Sequence, residues 1–502
     1  MGDDVGQGEL SVAPGAVASI ATGHRETTIA LPRIALPGAS LRLSRQRLRL
    51  SHPACGLAAL GVLCAACLAV VVCAAAGPTV LAPASRYAFP GWIAGPLEGV
   101  FGHLVSDPLA LSYGLSAVVL AMTVAYGIAL ASVRMLSMRT VVIVVVALHA
   151  ILLMSPPLQL TDLFNYLGYA RLGGLHHLNP YVHVIGDERQ DPIFALTTWY
   201  NLRSPYGPTF TLLTYSVSHL SLPLAYWLLK TATVLASLAF IALVWRCARQ
   251  LGRDPRFAVL FVAANPIFLI YELGGFHNDV FMLVPAMAAI SLLLDGRDRR
   301  AGAALMLAVS VKFTMVLLLP FLLLGARPNR RRARFLTGAA VATVALAASS
   351  IAAFGFSIPN LSDQSTILTP FSVPNLVGLL LGVGGGAPAL LRVANVVLVL
   401  VIAILVADVA RGRREWLSAA GFATLALLAS LAWLMPWYVV WVLPLAALGS
   451  SVRLRRSALV VTLFLVLSFI PATGILLGQL HINPMSTSVG RTASAREQRL
   501  EQ

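Results

Sequence analysis

The residues best suited to chemistry lie in one polar stretch, residues 161–208, which begins TDLFNYLGYARLGGLHHLNPY and ends WYNLRSPYGP. It sits between apolar runs yet carries Asp162, Arg171, His176, His177, His183, Asp187, Glu188, Arg189, Asp191 and Arg203. The apolar run 141–154 leads into it, which puts Asp162 at the boundary between membrane and water. A carboxylate facing a cavity there keeps some hydration while its surroundings stay apolar, the setting in which an acid is tuned to act as a base. A plainer reading stands beside this one: Thr161 or Asp162 caps a helix that starts at Leu163. On such a short helix Phe164, Tyr166 and Tyr169 would pack into the interface with Asp162 turned to the cavity. Asn179-Pro180-Tyr181 and the SPYGP element at 204–208, with Tyr206, read as rigid turns, since proline fixes φ and Gly207 permits a close approach. Arg171 and Arg203 flank these turns and could meet a phosphate or lipid headgroups.

Two further groups lie outside that stretch. His277, Asn278 and Asp279 stand together in GGFHNDV between two apolar runs. His277 and Asp279 have metal-ligand chemistry, but no third ligand is near in sequence, so no metal site is assigned. Asn278 or Asp279 could cap the next helix, or the trio could contact a sugar. Lys312, one of only two lysines in the chain, lies in the middle of the apolar run 301–324. It is too far from either end to snorkel and calls for an anion, for which a lipid phosphate is the natural candidate.

The elements that must position these residues are membrane helices. The chain has 502 residues, of which 58% are hydrophobic and 11% charged, too apolar for a soluble protein of this size. The net charge is +16, but the arginines cluster at the ends of apolar runs with no aromatic–basic platform. That is the positive-inside pattern and argues against a nucleic-acid partner. Cys64 and Cys67 form a CxxC inside an apolar helix and read as small packing residues rather than a redox or zinc pair. Residues 1–50 are expected to be a disordered basic cytoplasmic arm near anionic lipid, and 481–502 a disordered tail. Residues 51–480 then form one all-α domain of about 11–13 membrane segments, with 161–208 as the main external loop. Tyr87, Trp92 and Phe101 in the loop 77–108 suit the interface. In 208–245 hydropathy suggests a short piece and a full span, yet the arginines that follow fit one net crossing, so one piece reads as broken or re-entrant. The run 301–324 has basic residues at both ends and reads as two half-helices or as a plain span with a weak charge rule.

Taken together, these pieces resemble the GT-C superfamily of integral-membrane glycosyltransferases. More narrowly, TDLFNYLGYARLGGLHHLNPY, SPYGP and GGFHNDV are similar to the actinobacterial polyprenyl-phosphate-mannose-dependent α-1,6-mannosyltransferases, over roughly residues 55–475. That resemblance implies a GT-C-like helical bundle in the cytoplasmic membrane with its active site on the external face. It implies a polyprenyl-phosphate sugar donor and a lipid-linked glycan acceptor, no cofactor, and Asp162 as the catalytic base of an inverting transfer. Substrate contacts would come from Tyr166, Arg171, Asn179, Tyr181, Arg203, Tyr206, His277, Asn278, Asp279 and Lys312. Two spans precede the Asp-bearing one here, where many superfamily members have the Asp after their first. The competing readings are the same fold acting on another sugar, and a transporter or flippase of lipid-linked sugars. The latter would favour inverted repeats, and none is visible.

Overall fold

The computed structural model describes residues 53–77, 79–82, 89–100, 107–362 and 364–501. The expected N-terminal arm, Tyr87 and Phe101 lie outside the described residues. Helices dominate, and the extended pairing among the described residues is one isolated bridge, Thr79 with Ala82. The chain runs through α1 (Pro53–Ala75), α2 (Pro108–Ala131) and α3 (Met138–Leu153) into α4 (Asp162–Gly174), α5 (Pro208–Tyr215) and the long α6 (Leu222–Gln250). Next come α7 (Pro255–Ala263), a π turn at Phe268–Leu273, α8 (Asp279–Leu294), α9 (Asp298–Val311), a 3-10 turn at Phe313–Leu318 and α10 (Leu319–Gly325). The remainder is α11 (Asn329–Phe354), α12 (Val373–Leu380), α13 (Pro388–Ala410), α14 (Trp416–Ser430), a 3-10 turn at Pro436–Trp441, α15 (Leu443–Leu448), α16 (Val452–Phe469), α17 (Pro471–Gln479) and α18 (Ser488–Glu501). Proline opens many of them, including α2, α5, α6, α7 and α13, where its missing N–H costs nothing and its fixed φ suits the first turn.

Among the described residues, α1, α2, α6, α11 and α13 are long and apolar enough to cross a bilayer, and α16 with α17 makes a sixth if that pair, bent by 57°, is one span. Shorter apolar helices, among them α3, α8 and α14, fill the space between them. The protein is an all-α multi-pass membrane protein. One buried core extends from α1 to α16, with α9 packed between α8 and α11 and α6 packed on α8.

Both ambiguous stretches are broken. In 208–245 the short α5 is separated from α6 by residues 216–221. In 301–324 the helix stops at Lys312, whose backbone is extended (φ −152°, ψ 119°), and resumes as a tighter turn. The break is held from outside: Gly207 N–H donates to the Val311 carbonyl at 3.1 Å, and Thr209 and Ser310 share a hydroxyl hydrogen bond at 2.6 Å. A Cβ on Gly207 would lie 2.2 Å from the Ser310 carbonyl oxygen, so only glycine lets SPYGP sit against the broken end.

Three expectations change. The aromatic side chains of α4 pack on protein: Phe164, Tyr166 and Tyr169 are buried among the rings of Tyr206, Phe210 and Tyr226. Trp92 is likewise enlisted by α6, edge-on to Tyr226 while its carbonyl accepts from the Trp227 indole. The segment expected as a disordered tail contains α18, and the loop 161–208 contacts its last turn. Asn201 donates its backbone N–H to the Leu500 carbonyl and its side-chain amide to that of Arg499. This satisfies carbonyls of the last helical turn that would otherwise lack partners.

Candidate active site

Asp162 is the first residue of α4, and its preceding residue Thr161 makes no side-chain capping bond; instead Thr161 Oγ1 pairs with Thr198. The carboxylate is turned to a cavity of about 560 Å³ at the meeting of α4, the 277–279 turn, the Lys312 break, α13 and the 436–441 turn. Tyr206 O–H donates to Asp162 Oδ1 at 3.1 Å. Burial pushes the Asp162 pKa up to about 6, while the Tyr206 hydrogen bond and the nearby Lys312 charge pull it back. His277 Nδ1 lies 3.9 Å from Asp162 Oδ2, too far for a hydrogen bond. Burial, and next the Lys312 charge, push the imidazole pKa well below its usual value, so this contact is not an ion pair.

The approach of the chain to Asp162 is fixed at two points. Leu158 N–H donates to the Gly274 carbonyl at 2.8 Å, tying the segment before Asp162 to GGFHNDV. Lys230, fully buried among the rings of Tyr226, Trp227 and Phe276, donates to the Ser155 carbonyl at 2.7 Å. On the other strand of that tie, Phe276 adopts a left-handed backbone (φ 54°), a strained conformation for a non-glycine residue. It brings His277 and Asn278 to the cavity wall. His277 stacks on Trp437 with ring centroids 3.8 Å apart, and Asn278 N–H donates to the Tyr166 hydroxyl. His277 Nε2 and Asn278 Nδ2 are buried without partners. Buried polar atoms of this kind carry a desolvation cost, and His277 Nε2 is turned toward the Gly275 backbone rather than the cavity.

Asp279 does not cap α8 through its side chain. It accepts both oxygens' worth of contact from Lys312 Nζ, at 2.8 and 2.9 Å, and a further bond from the Trp441 indole. Lys312 is therefore not an isolated cation awaiting a ligand. Its ammonium is shared between Asp279 and the stacked rings of Tyr438 and Trp441, each centred 5.2 Å away.

The structure thus brings seven expected residues to one wall: Asp162, Tyr166, Tyr206, His277, Asn278, Asp279 and Lys312. Four others fall elsewhere. Arg171 binds Asp191 at 2.9 Å and the Ser218 carbonyl, and His176 joins the same carboxylate at 2.6 Å. Asn179 bonds the Phe354 carbonyl and its own loop, Tyr181 O–H donates to the Tyr206 carbonyl, and Arg203 is exposed outside the cavity. These residues shape the loop rather than the cavity wall. Among the described residues no group of three or more His, Cys, Asp or Glu side chains converges as metal ligands.

Comparison with known sequences adds a decisive observation. Residues 58–327 match the model of the alpha-(1->6)-mannopyranosyltransferase N-terminal domain, and residues 369–495 match the MptB C-terminal domain. The chain belongs to the alpha-(1->6)-mannopyranosyltransferase family. It is 28% identical over 340 residues to alpha-(1->6)-mannopyranosyltransferase A of Mycobacterium tuberculosis, covering 61% of this chain and 64% of that one. A second alpha-(1->6)-mannopyranosyltransferase of the same organism is 27% identical, covering 62% of this chain and 66% of the other. The chain thus spans just under two thirds of the length of these curated relatives. No solved structure matches. In this member of the mannopyranosyltransferase family, the 58–327 region supplies Asp162, Tyr206, the 277–279 turn and Lys312, and the 369–495 region supplies the facing aromatic wall.

Sequence reasoning missed that second wall. Trp433, Trp437, Tyr438 and Trp441 come from MPWYVVW and its flank, and Arg392 and Asn395 from one face of α13. The density of tryptophan in a stretch too short and too Pro-interrupted to span was the available signal. Glu272, fully buried on the π turn with both carboxyl oxygens unpartnered, was missed because it is embedded in an apolar run.

Proposed function

We propose that this chain is an α-1,6-mannosyltransferase that moves mannose from a polyprenyl-phosphate-mannose donor to a lipid-linked mannan acceptor, outside the cytoplasmic membrane and with inversion. The relatives' names support the sugar and the linkage. One observation carries the mechanism: Asp162 is a raised-pKa carboxylate at the wall of a cavity that is also lined by Lys312, Arg392 and an aromatic face. The acceptor hydroxyl oxygen bonds to the anomeric carbon as the bond from that carbon to the phosphate oxygen breaks. The electron pair leaves on polyprenyl phosphate, and the hydroxyl proton passes to Asp162. The phosphate is already a good leaving group, so no general acid is required. Tyr206 holds the carboxylate in orientation, and Trp433 and Trp437 on the cavity wall offer apolar surface to a pyranose ring.

Membranes bearing the protein, given radiolabelled polyprenyl-phosphate-mannose and a short α-1,6-mannoside, should yield an extended α-1,6 product. Asp162→Asn keeps the shape of the side chain and removes its basicity, so turnover should fall by about 10²–10⁴-fold at unchanged protein level. A well-expressed Asn variant working at near wild-type rate ends the assignment of Asp162 as base. Transport of a lipid-linked sugar is the second reading, favoured by the helix broken at Lys312. It requires donor to cross the bilayer with no glycan made.

A further inference from the structure

We infer that Arg392 anchors the phosphate of the lipid-borne donor, an inference that rests on the donor being a polyprenyl-phosphate sugar. Among the described residues, the acidic and basic side chains lining the cavity, apart from the neutral His277, are Asp162, Asp279, Lys312 and Arg392. Lys312 and Asp279 satisfy each other at 2.8 and 2.9 Å, which leaves Asp162 and Arg392, among the described lining residues, as the acid and the cation without an opposite partner. Among the described residues no carboxylate lies within 4.0 Å of the Arg392 guanidinium, while arginines 171, 246, 256, 331, 413 and 414 each have one. The free acid suits a hydroxyl that must lose a proton. The free cation suits a phosphodiester that gains charge as its sugar departs.

The position of Arg392 matches a lipid substrate. Pro388, Leu391, Arg392 and Asn395 line the cavity at helical spacing from the first two turns of α13, so one face of that helix forms a wall. Below that face α13 is nearly bare: only 6% of its most apolar window is buried in protein, against 44% for α1 and α6. A long prenyl chain can therefore stay in the bilayer along α13 while its phosphate reaches the cavity at the level of the guanidinium. Arginine presents a planar fork of donors that grips two phosphate oxygens at once, which a lysine cannot do.

The test uses the full chain in phosphatidylcholine nanodiscs, titrated with sugar-free polyprenyl phosphate and read by tryptophan fluorescence, since Trp199, Trp433, Trp437 and Trp441 line the cavity. Wild type should show a saturable change. Arg392→Ala should weaken binding by about tenfold or more, and Arg392→Lys by less. Arg413→Ala, a well-exposed control that does not line the cavity, should bind as wild type. In turnover assays Arg392→Ala should raise the donor KM more than it lowers kcat. Arg392 is exposed, so folding should survive the change, and an unaltered melting temperature checks this. Binding by Arg392→Ala within about twofold of wild type would overturn the inference. So would an equal response to phosphatidylglycerol at the same mole fraction, which would make the site a general headgroup contact. If wild type itself ignores polyprenyl phosphate, the donor assignment fails and this inference with it. If wild type binds and only the Ala variant is unaffected, the donor assignment stands alone.

Discussion

At the scale of single residues, the ionisation of Asp162 sets when the cavity can accept a proton. Its pKa is raised to about 6, so the basic form dominates at neutral pH and is lost as the pH falls through about 6. The kcat/KM profile should therefore show an acid limb near pH 6. The Tyr206 hydrogen bond favours the ionised form, so Tyr206→Phe should move that limb to higher pH; a limb that stays in place would mean that another group controls it. That Asp162 faces a cavity could be expected from sequence because the acid directly follows an apolar run; that it does not serve as a side-chain cap could not. Nor could the state of Lys312. Its position gave the need for an anion, but the anion is Asp279, 33 residues away, and only folding brings the two together.

At the scale of elements, the break between α9 and the turn that follows ties both halves of the site to one joint. Gly207 and Ser310 hold it, Tyr206 leaves it toward Asp162, and Lys312 leaves it toward Asp279. Asp279 is fully buried, so Lys312→Met should do more than weaken donor binding. It leaves a buried carboxylate without its cation, a cost of about 3–5 kcal/mol. The double variant Lys312→Met with Asp279→Asn should recover much of the lost expression and melting temperature, and a double-mutant cycle measures the coupling. Loss of activity in both variants, with stability restored in the double one, would assign the pair to catalysis as well as to the joint. That the run 301–324 is broken could be read from arginines at both of its ends, a signal that hydropathy alone does not give. The docking of SPYGP on the break could not, because it depends on a backbone hydrogen bond across 104 residues of chain.

Across the whole molecule, charge sorts the two ends. Arg246 pairs with Asp295, Arg331 with Asp298, Arg327 reaches the Val409 carbonyl, and Arg256 reaches those of Arg134 and Leu136. Basic clusters far apart in sequence thus meet through side-chain contacts, in line with the positive-inside pattern. The 161–208 loop and α18 meet separately through Asn201. Cysteines placed at positions 187 and 495 should therefore react with an impermeant reagent from the same side of the membrane, and one at 331 only from the other. Labelling of 187 and 331 from one side would refute this arrangement. The all-α multi-pass character was legible in the sequence; the span count was not. The apolar runs suggest about 11–13 segments. Among the described residues five helices, or six with the bent pair, are long and apolar enough to cross, the other apolar runs forming shorter or broken helices. The aromatic wall from MPWYVVW was not legible either, since a short Pro-containing apolar stretch reads as a weak span until the fold shows it facing a cavity. The scarcity of lysine has a practical consequence for reagents. The chain has two lysines, one sealed among three aromatic rings and the other partly open at the cavity. Apart from the amino terminus, an anionic aldehyde such as pyridoxal phosphate, fixed with borohydride, has a single address in the folded protein. Peptide mapping should find the tag on Lys312 alone.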